Sequence, residues 1–575
     1  MIYIRAQALS YCALVALSAA LPAQVITVLV KDGDSAGAAG IVTAIDNLAV
    51  NSSGTWLVET STNSGLSTMF KNGPVFLQEG DALPLPLGSS ISSFDDITIN
   101  EAGTSGWNFF LSGLTTDTDS GIFVNSTLLL QESDVSIAPQ FSAGTVYRGF
   151  FGTKWNDSGQ LLVMATVDDP AIAGTTDRAL VRLQLDPAFA LVSETVLVKK
   201  GDNLPGFGME TLAELETAPY GYAMNSSGAV LYLADMTGAA TSDVALVHDD
   251  GTGPVIIARE GSASPVAGRN YEIVDSRPVD ISNGGHIVYR ANLDGATTDD
   301  EVIIVDGAVL VQEGSGLPAI GGFTFTAFGT VVRADASGNV FWWGDWNDPD
   351  TTRDTGLFVN HELLVQEGVT TAGGIVIEFV ASVQDSFWIS ADGRYVIFEG
   401  RLTGGIDAAF LLDRGPITTP STPFCLGDGT GAPCPCANTG AAGHGCGSSA
   451  FAGGAILSAT GIAGASLGTD TLVLTATDIP GPGLFFQSNT LAASPINFGD
   501  GHLCATGGII RLGVVFPSSG VASYPGGLTP NPIHVQGGAT NGQTKHYQCW
   551  YRSVPGLCTA NNYDLTQGLT LVWGP

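Results

Sequence analysis

Carboxylates recur at one fixed point of this chain. Glu79, Glu132, Glu260, Glu313 and Glu367 each follow a Gln or Arg, precede a Gly or Ser, and come directly after a short apolar run. A rigid scaffold that presents such a series from its connecting loops could bind a ligand, so these five are the candidate ligand-binding residues. Asp-rich stretches share their phase: Asp117-Thr118-Asp119, and the loop carrying Asp348, Asp350 and Asp354. Hard carboxylate oxygens suit calcium, which makes Asp117, Asp119, Asp348, Asp350 and Asp354 the candidate metal ligands, with calcium as the one cofactor suggested. The competing reading is plain solvation, the usual state of surface carboxylates.

No catalytic residue is assigned. The chain has no phosphate-binding G-x-x-x-x-G-K-[ST] loop and no H-E-x-x-H zinc motif. Abundant Asp and Glu leave room for a glycosidase-type carboxyl pair, but nothing selects one. His248, His286 and His361 fall at turns and read as solvated. Trp155 and the Trp342, Trp343, Trp346 cluster could stack on sugars, although packing between sheets is the commoner role of such rings.

The elements that position these residues form an array. Seven short motifs begin at Lys31, Gln78, Gln131, Lys199, Arg259, Gln312 and Gln366, spaced 47 to 68 residues apart. Seven Asn/Asp/Ser-x-x-Gly turns, from Asn51 to Ser390, alternate with them. Between 323 and 368 one unit reads as four short strands joined by turns, without helical periodicity. That is the blade of a β-propeller. The first series starts before the second, and the last turn at Ser390 has no partner after it. Ile26 to Val30 should therefore supply the missing outer strand beside Ala409 to Leu412, closing a seven-bladed ring and removing a bare edge. The turns between strands one and two face one side of the ring. The Glu motifs and the long loops face the other, where binding is expected.

Composition sets the remaining bounds. Net charge is −34, of which only −2 falls in residues 425–575. An acidic surface repels phosphate backbones and argues against nucleic acid. Arg5, the apolar run Ala6 to Leu21 and small residues to Ala23 read as a secretory signal peptide, and no later stretch is long and apolar enough to span a bilayer as a helix. The expected layout is a signal peptide at 1–23, the propeller at 24–415, a Pro/Thr linker at 416–424 and a Cys-rich β domain at 425–575.

Seven of the eight cysteines lie in that last part. In an exported protein they should oxidise, so Cys425, Cys434, Cys436, Cys446, Cys504 and Cys558 are read as three disulfides, with Cys549 left over. The alternative is a zinc or copper site from Cys434, Cys436, His444 and Cys446. The stretches Phe424-Cys425-Leu426-Gly427-Asp428-Gly429, Cys434-Pro435-Cys436-Ala437-Asn438, Gly499-Asp500-Gly501-His502-Leu503-Cys504 and Tyr547-Gln548-Cys549-Trp550-Tyr551-Arg552 resemble a Cys-rich module at the C-termini of large secreted bacterial proteins of uncharacterised function. The resemblance implies a β-sandwich-like, disulfide-bonded domain and supplies no catalytic residues. Together these features suggest a secreted binding protein for a glycan, peptide or protein. A carbohydrate-active hydrolase or lyase, and a structural protein attached to the cell envelope, are the alternatives.

Overall fold

The computed structural model describes residues 25–172, 177–274, 276–415, 421–465, 470–526, 531–554 and 557–574. The signal peptide expected at 1–23 lies outside the described residues, as does 416–420 of the linker. The chain is all-β and of propeller type; among the described residues the one α-helix is Ile533–Gly537.

Residues 25–413 form seven antiparallel sheets in sequence order. The unit read from 323 to 368 comprises Phe325–Ala334, Val340–Trp346, Thr355–Val359 and Glu362–Gln366, paired in that order. Innermost strands touch their neighbours around the series, and Phe387–Ile389 of the last sheet touches Val42–Val50 of the first. Burial follows the same cycle. Seven apolar clusters each join two neighbouring sheets, and one joins the last to the first through Val30, Ile397, Ala409, Val42 and Val58. Both faces of every sheet are thus covered, which is why the strands carry apolar residues at nearly every position instead of alternating.

Closure follows the offset in the sequence. Val25–Lys31 pairs antiparallel with Ile406–Asp413, in the register Ile26↔Leu412 and Val30↔Ala409. A strand from the start of the chain covers what would otherwise be the bare outer edge of the final sheet.

Beyond residue 420 the architecture changes to two packed sheets. A six-stranded sheet includes Gly483–Ser488, Thr544–Arg552 and Gly568–Val572; a three-stranded sheet comprises Ile456–Thr460, Val473–Thr477 and Val521–Tyr524. Their shared core holds Leu474, Phe485, Tyr524, Tyr547, Cys549 and Trp573. The end of the expected linker belongs to this body: Ser421–Phe424 is an edge strand paired with Gly568 to Leu571. Pro423 is tolerated there because an edge strand has an N–H to spare. Gly568 makes room for the Phe424 ring, which would lie 2.1 Å from a Cβ at that position.

Candidate functional site

The recurring glutamates belong to a connector between sheets. In each copy the backbone turns through a left-handed residue: Gly80 and Gly201 at φ 89°, Ser133 at φ 70°. Glycine adopts that conformation without strain. Where an Asp follows it, that side chain accepts a hydrogen bond from the N–H three residues back, as with Asp81 from Gln78 (3.0 Å) and Asp134 from Gln131 (2.7 Å). The Gln side chain crosses to the long loop of its own sheet: Gln131 to the Thr118 carbonyl, Gln312 to Asp299, Gln366 to Arg353. The Glu itself tucks inward. Glu132, Glu260, Glu313 and Glu367 are only 6–9% exposed, and Glu79 is half-buried. Glu132 accepts from the Ser120 N–H at 3.1 Å, and Glu367 accepts from the Thr355 hydroxyl. Burial, with Asp119 and Asp300 respectively alongside, pushes Glu132 and Glu313 up to about 7. Glu132, Glu313 and Glu367 pin the start of the third strand of their sheets, and the five carboxyls do not form an open ligand-binding ring.

The calcium candidates fare similarly. Arg353 Nε lies 3.2 Å from Asp348 and 3.4 Å from Asp350, so a guanidinium already sits where a cation would. Asp350 also accepts from the Thr352 hydroxyl at 2.7 Å. Asp354 points toward other carboxylates and is raised by burial and by Asp345. Asp117 is exposed and belongs, with Asp119, to the second sheet rather than the sixth. This donor set does not fit a calcium ion.

The opposite side of the ring, expected to carry only tight turns, holds the cavity. The first residue of each Asn-x-x-Gly turn closes its own loop: Asn51 Oδ1 accepts from the N–H groups of Ser53 and Thr55, and Asn225 Oδ1 from Ser227 and Ala229. Its amide also reaches the next sheet. Asn51 Nδ2 donates to the Asn100 carbonyl (3.0 Å), Asn156 to Asn225 (3.0 Å) and Asn225 to Ser282 (3.2 Å). Second positions add further links: Ser52 N–H to Glu101, Glu101 N–H to Asp157, Ser226 N–H to Asn283, and Asp392 N–H to the Ser52 hydroxyl. Side-chain turn chemistry was readable in the sequence. Its second use, stapling neighbouring sheets, needed the structure.

These turns frame a funnel of about 120 Å³ at the mouth of the central channel, lined by all seven sheets and including Trp155, Asp157, Asp280, Arg333 and Trp388. The Arg333 guanidinium lies over the Trp388 ring at 4.1 Å. Asp280 is tied to the Ala334 N–H at 2.9 Å and has Arg333 beside it. Below the mouth, Lys154 Nζ sits 3.7 Å from Asp96, which accepts from the Thr153 N–H at 2.7 Å. The Tyr222 hydroxyl, the Trp155 indole N–H and Arg333 Nε are buried without a hydrogen-bond partner. Such orphans are rare, because each forfeits its hydration without compensation.

Bulges supply the acid lining farther down. The innermost strands slip register between Ile45 and Leu48 and between Phe94 and Asp96, and others break into two pieces. Bulges re-aim side chains. Here they accompany a crowd of carboxyls: Asp95 is pushed up to about 6 by burial and by Asp96, with Asp385 also near. Glu59, held by the Asn47 amide at 2.6 Å, is pushed up to about 8 by burial. Perturbed carboxyls beside a cation and an orphan hydroxyl, below the funnel, mark a functional-site candidate. Sequence reasoning passed over Asp95, Asp96, Lys154, Tyr222, Arg333 and Trp388. Lys154, Arg333 and Trp388 share one repeat position, two residues before the turn, but their types differ from sheet to sheet, so no recurring residue type flags them.

Of the tryptophans, Trp342, Trp343 and Trp346 are buried packing residues and Trp155 is at the funnel. Gly33-Asp34-Ser35-Ala36-Gly37 has the G-x-S-x-G spacing, but Ser35 is exposed in a turn, its Oγ accepting from the Gly37 N–H, with no α-helix behind it. A nucleophile elbow needs a strand-to-helix turn.

In the C-terminal body the disulfides are Cys425–Cys504, Cys434–Cys446 and Cys436–Cys558, and Cys549 is a free, fully buried thiol. The alternative metal set is not assembled: its cysteines are oxidised, and His444 Nδ1 bonds the Gly454 carbonyl at 2.8 Å.

A family model described as "Family of unknown function (DUF7453)" matches residues 192–409. No curated protein matches the chain. Among solved structures it is similar to puromycin hydrolase (11% identity, 65% of this chain and 51% of that one, TM-score 0.33). It is also similar to TolB from Acinetobacter baumannii (11%, 64% and 78%, 0.25) and to Trypanosoma rangeli sialidase (9%, 92% and 95%, 0.28). The chain spans about half the length of puromycin hydrolase.

Proposed function

We propose that the protein is an exported binding protein that holds a small polyhydroxylated ligand, such as the end of a glycan, in the funnel at the centre of the ring. The observation that carries this is the combination of Trp388 and Trp155 rings with the orphaned donors of Arg333 and Trp155 in one cleft. Pockets of this kind, aromatic walls with a few convergent polar groups, are typical of small-ligand sites. A rigid frame supports it, since every wall comes from an innermost strand or its stapled turn. Three disulfides support export, because they persist in oxidising compartments. Titration of the intact protein with oligosaccharide panels, followed by tryptophan fluorescence, tests the reading. Saturable quenching that is lost in Trp388→Ala supports it; no response to any oligosaccharide at millimolar concentration refutes it.

A hydrolase on the same ligand class is the second reading. What favours it is Asp95, whose raised titration to about 6 beside Asp96 would suit a general acid. Release of reducing ends, abolished in Asp95→Asn while binding persists, distinguishes turnover from binding alone.

A further inference from the structure

We propose that the C-terminal body carries a second site, independent of the funnel: an aromatic groove that takes an anionic amphiphile, an apolar chain or ring ending in an acid group.

The groove arises from strand alternation. On Gly483–Ser488 and Thr544–Arg552, Phe485 pairs with Cys549 and both face the shared core. Their neighbours Leu484 and Trp550 pair directly and, with Phe486, face the other way. Only a two-stranded hairpin covers that side. That hairpin, Thr490–Phe498 with Gly501–Thr506, overhangs it and leaves a cavity of about 340 Å³ lined by Leu484, Phe486, Phe498, Trp550, Tyr563 and Arg511 among others. Tyr563 sits between Phe498 (centroids 5.0 Å) and Trp550 (5.7 Å), making a continuous aromatic wall. Phe498 is 37% exposed and Ile509 48%. Contiguous exposed apolar surface of this kind marks an interaction site.

Charge selects the occupant. Residues 425–575 contain three basic side chains, Arg511, Lys545 and Arg552. Lys545 is buried and bonded to Asn489 at 2.7 Å. The two exposed ones both belong to this groove: Arg552 lies over the Trp550 ring at 4.9 Å, and Arg511 lines the cavity. Arg552 is partly used by Asn562, at 2.7 Å, whereas the Arg511 side chain has no hydrogen bond or ion pair among the described residues. In a chain of net charge −34, a free guanidinium on an apolar groove is a local exception that attracts an acid group. The lining includes no carboxylate or amide to receive sugar hydroxyls, which separates this site from the funnel.

Laurate, below its critical micelle concentration, is the probe. Calorimetry with the full-length protein should give saturable binding that strengthens at low ionic strength, at least tenfold tighter than for dodecyltrimethylammonium. Arg511→Gln, at an exposed position, should weaken laurate about tenfold, in line with loss of one charge-assisted contact, and Arg511→Lys should recover part of it. Trp550→Ala should remove binding; an unchanged melting curve would show that it still folds. Equal affinity for the cationic detergent, insensitivity to Arg511→Gln, or absence of saturation overturns the proposal. So does sedimentation showing that the groove is closed by a second copy of the chain.

Discussion

The ring and the C-terminal body solve one problem in opposite ways. Each is built from short strands with no helical framework, so each must bury sheet faces and dispose of edges. The ring does so by repetition: seven clusters, each shared by two sheets, inter-sheet links at the turns, and a borrowed strand at the seam. No cysteine lies between 13 and 424. The C-terminal body has no such cycle. It pins irregular loops with three disulfides and leaves one sheet face partly open. Stability in the first is distributed and hinges on closure; in the second it is concentrated in covalent points.

The most severe test of that contrast is to open the ring. Removing residues 25–31 should expose the edge of Ile406–Asp413 and cost on the order of 5 kcal/mol, a large part of ordinary domain stability. Calorimetry should show the ring's transition collapse while the C-terminal transition stays put. If both transitions survive unchanged, closure is not what holds the ring.

Reduction is the mirror experiment. Breaking the disulfides should weaken the C-terminal body by roughly 2–5 kcal/mol per bridge and leave the ring's melting untouched. Thiol labelling of the unreduced, denatured chain from 24 onward should find one reactive cysteine, Cys549.

Acid should stabilise the ring more than the C-terminal body. Burial raises Glu59 to about 8 and Glu132, Glu313 and Glu399 to about 7, all within the ring. Between the ordinary Glu range and these values the folded ring binds more protons than the unfolded chain, so unfolding free energy falls as pH rises. This stabilisation is complete below about pH 4.5 and is lost progressively from there to about pH 8. In the C-terminal body Asp564, raised to about 8, acts the same way, but Asp428, lowered to about 2, acts in reverse. A ring melting point at pH 5 that exceeds the value at pH 8 by roughly 5 °C is expected; a flat or rising profile contradicts the burial of these carboxyls.

The smallest effect should come from a single inter-sheet link. Asn225→Ala removes a turn cap and the amide bond to Ser282, and should cost about 1–2 kcal/mol in the ring alone. A cost spread over both transitions would mean that the two bodies are coupled. Calcium at millimolar concentration should shift neither, because Arg353 already neutralises Asp348 and Asp350.

Much of this was legible. The offset between the two series identified Ile26 to Val30 as a strand in search of a partner, and the step in cysteine usage marked the second body. The site was not. Glu79 and its counterparts drew attention because they recur. Recurrence in an array selects what every unit needs, here a connector that turns through a left-handed residue and holds the third strand. A central site is used once, so its residue types differ from unit to unit: Lys154, Asp280, Arg333 and Trp388 hold one repeat position, two residues before the turn, with four different side chains. The linker was misread at its end for a local reason. Thr422-Pro423-Phe424 looks like a spacer by composition, and only the pairing with Gly568 to Leu571 makes it an edge strand.

By itself, then, the sequence determined the local chemistry: strand lengths, turn types, the unpaired first strand, and which cysteines would oxidise in an exporting cell. These follow from backbone preference and burial, which act over a few residues and repeat wherever the pattern repeats. Tertiary structure decided everything that depends on distance across the ring or the sandwich. It folded the repeated carboxyls inward, gave Arg353 to the aspartates expected to bind calcium, and converged single residues of different sheets on one channel. Electrostatic and hydrogen-bonding partners are chosen by proximity in space, and proximity across seven sheets is not written in any one of them.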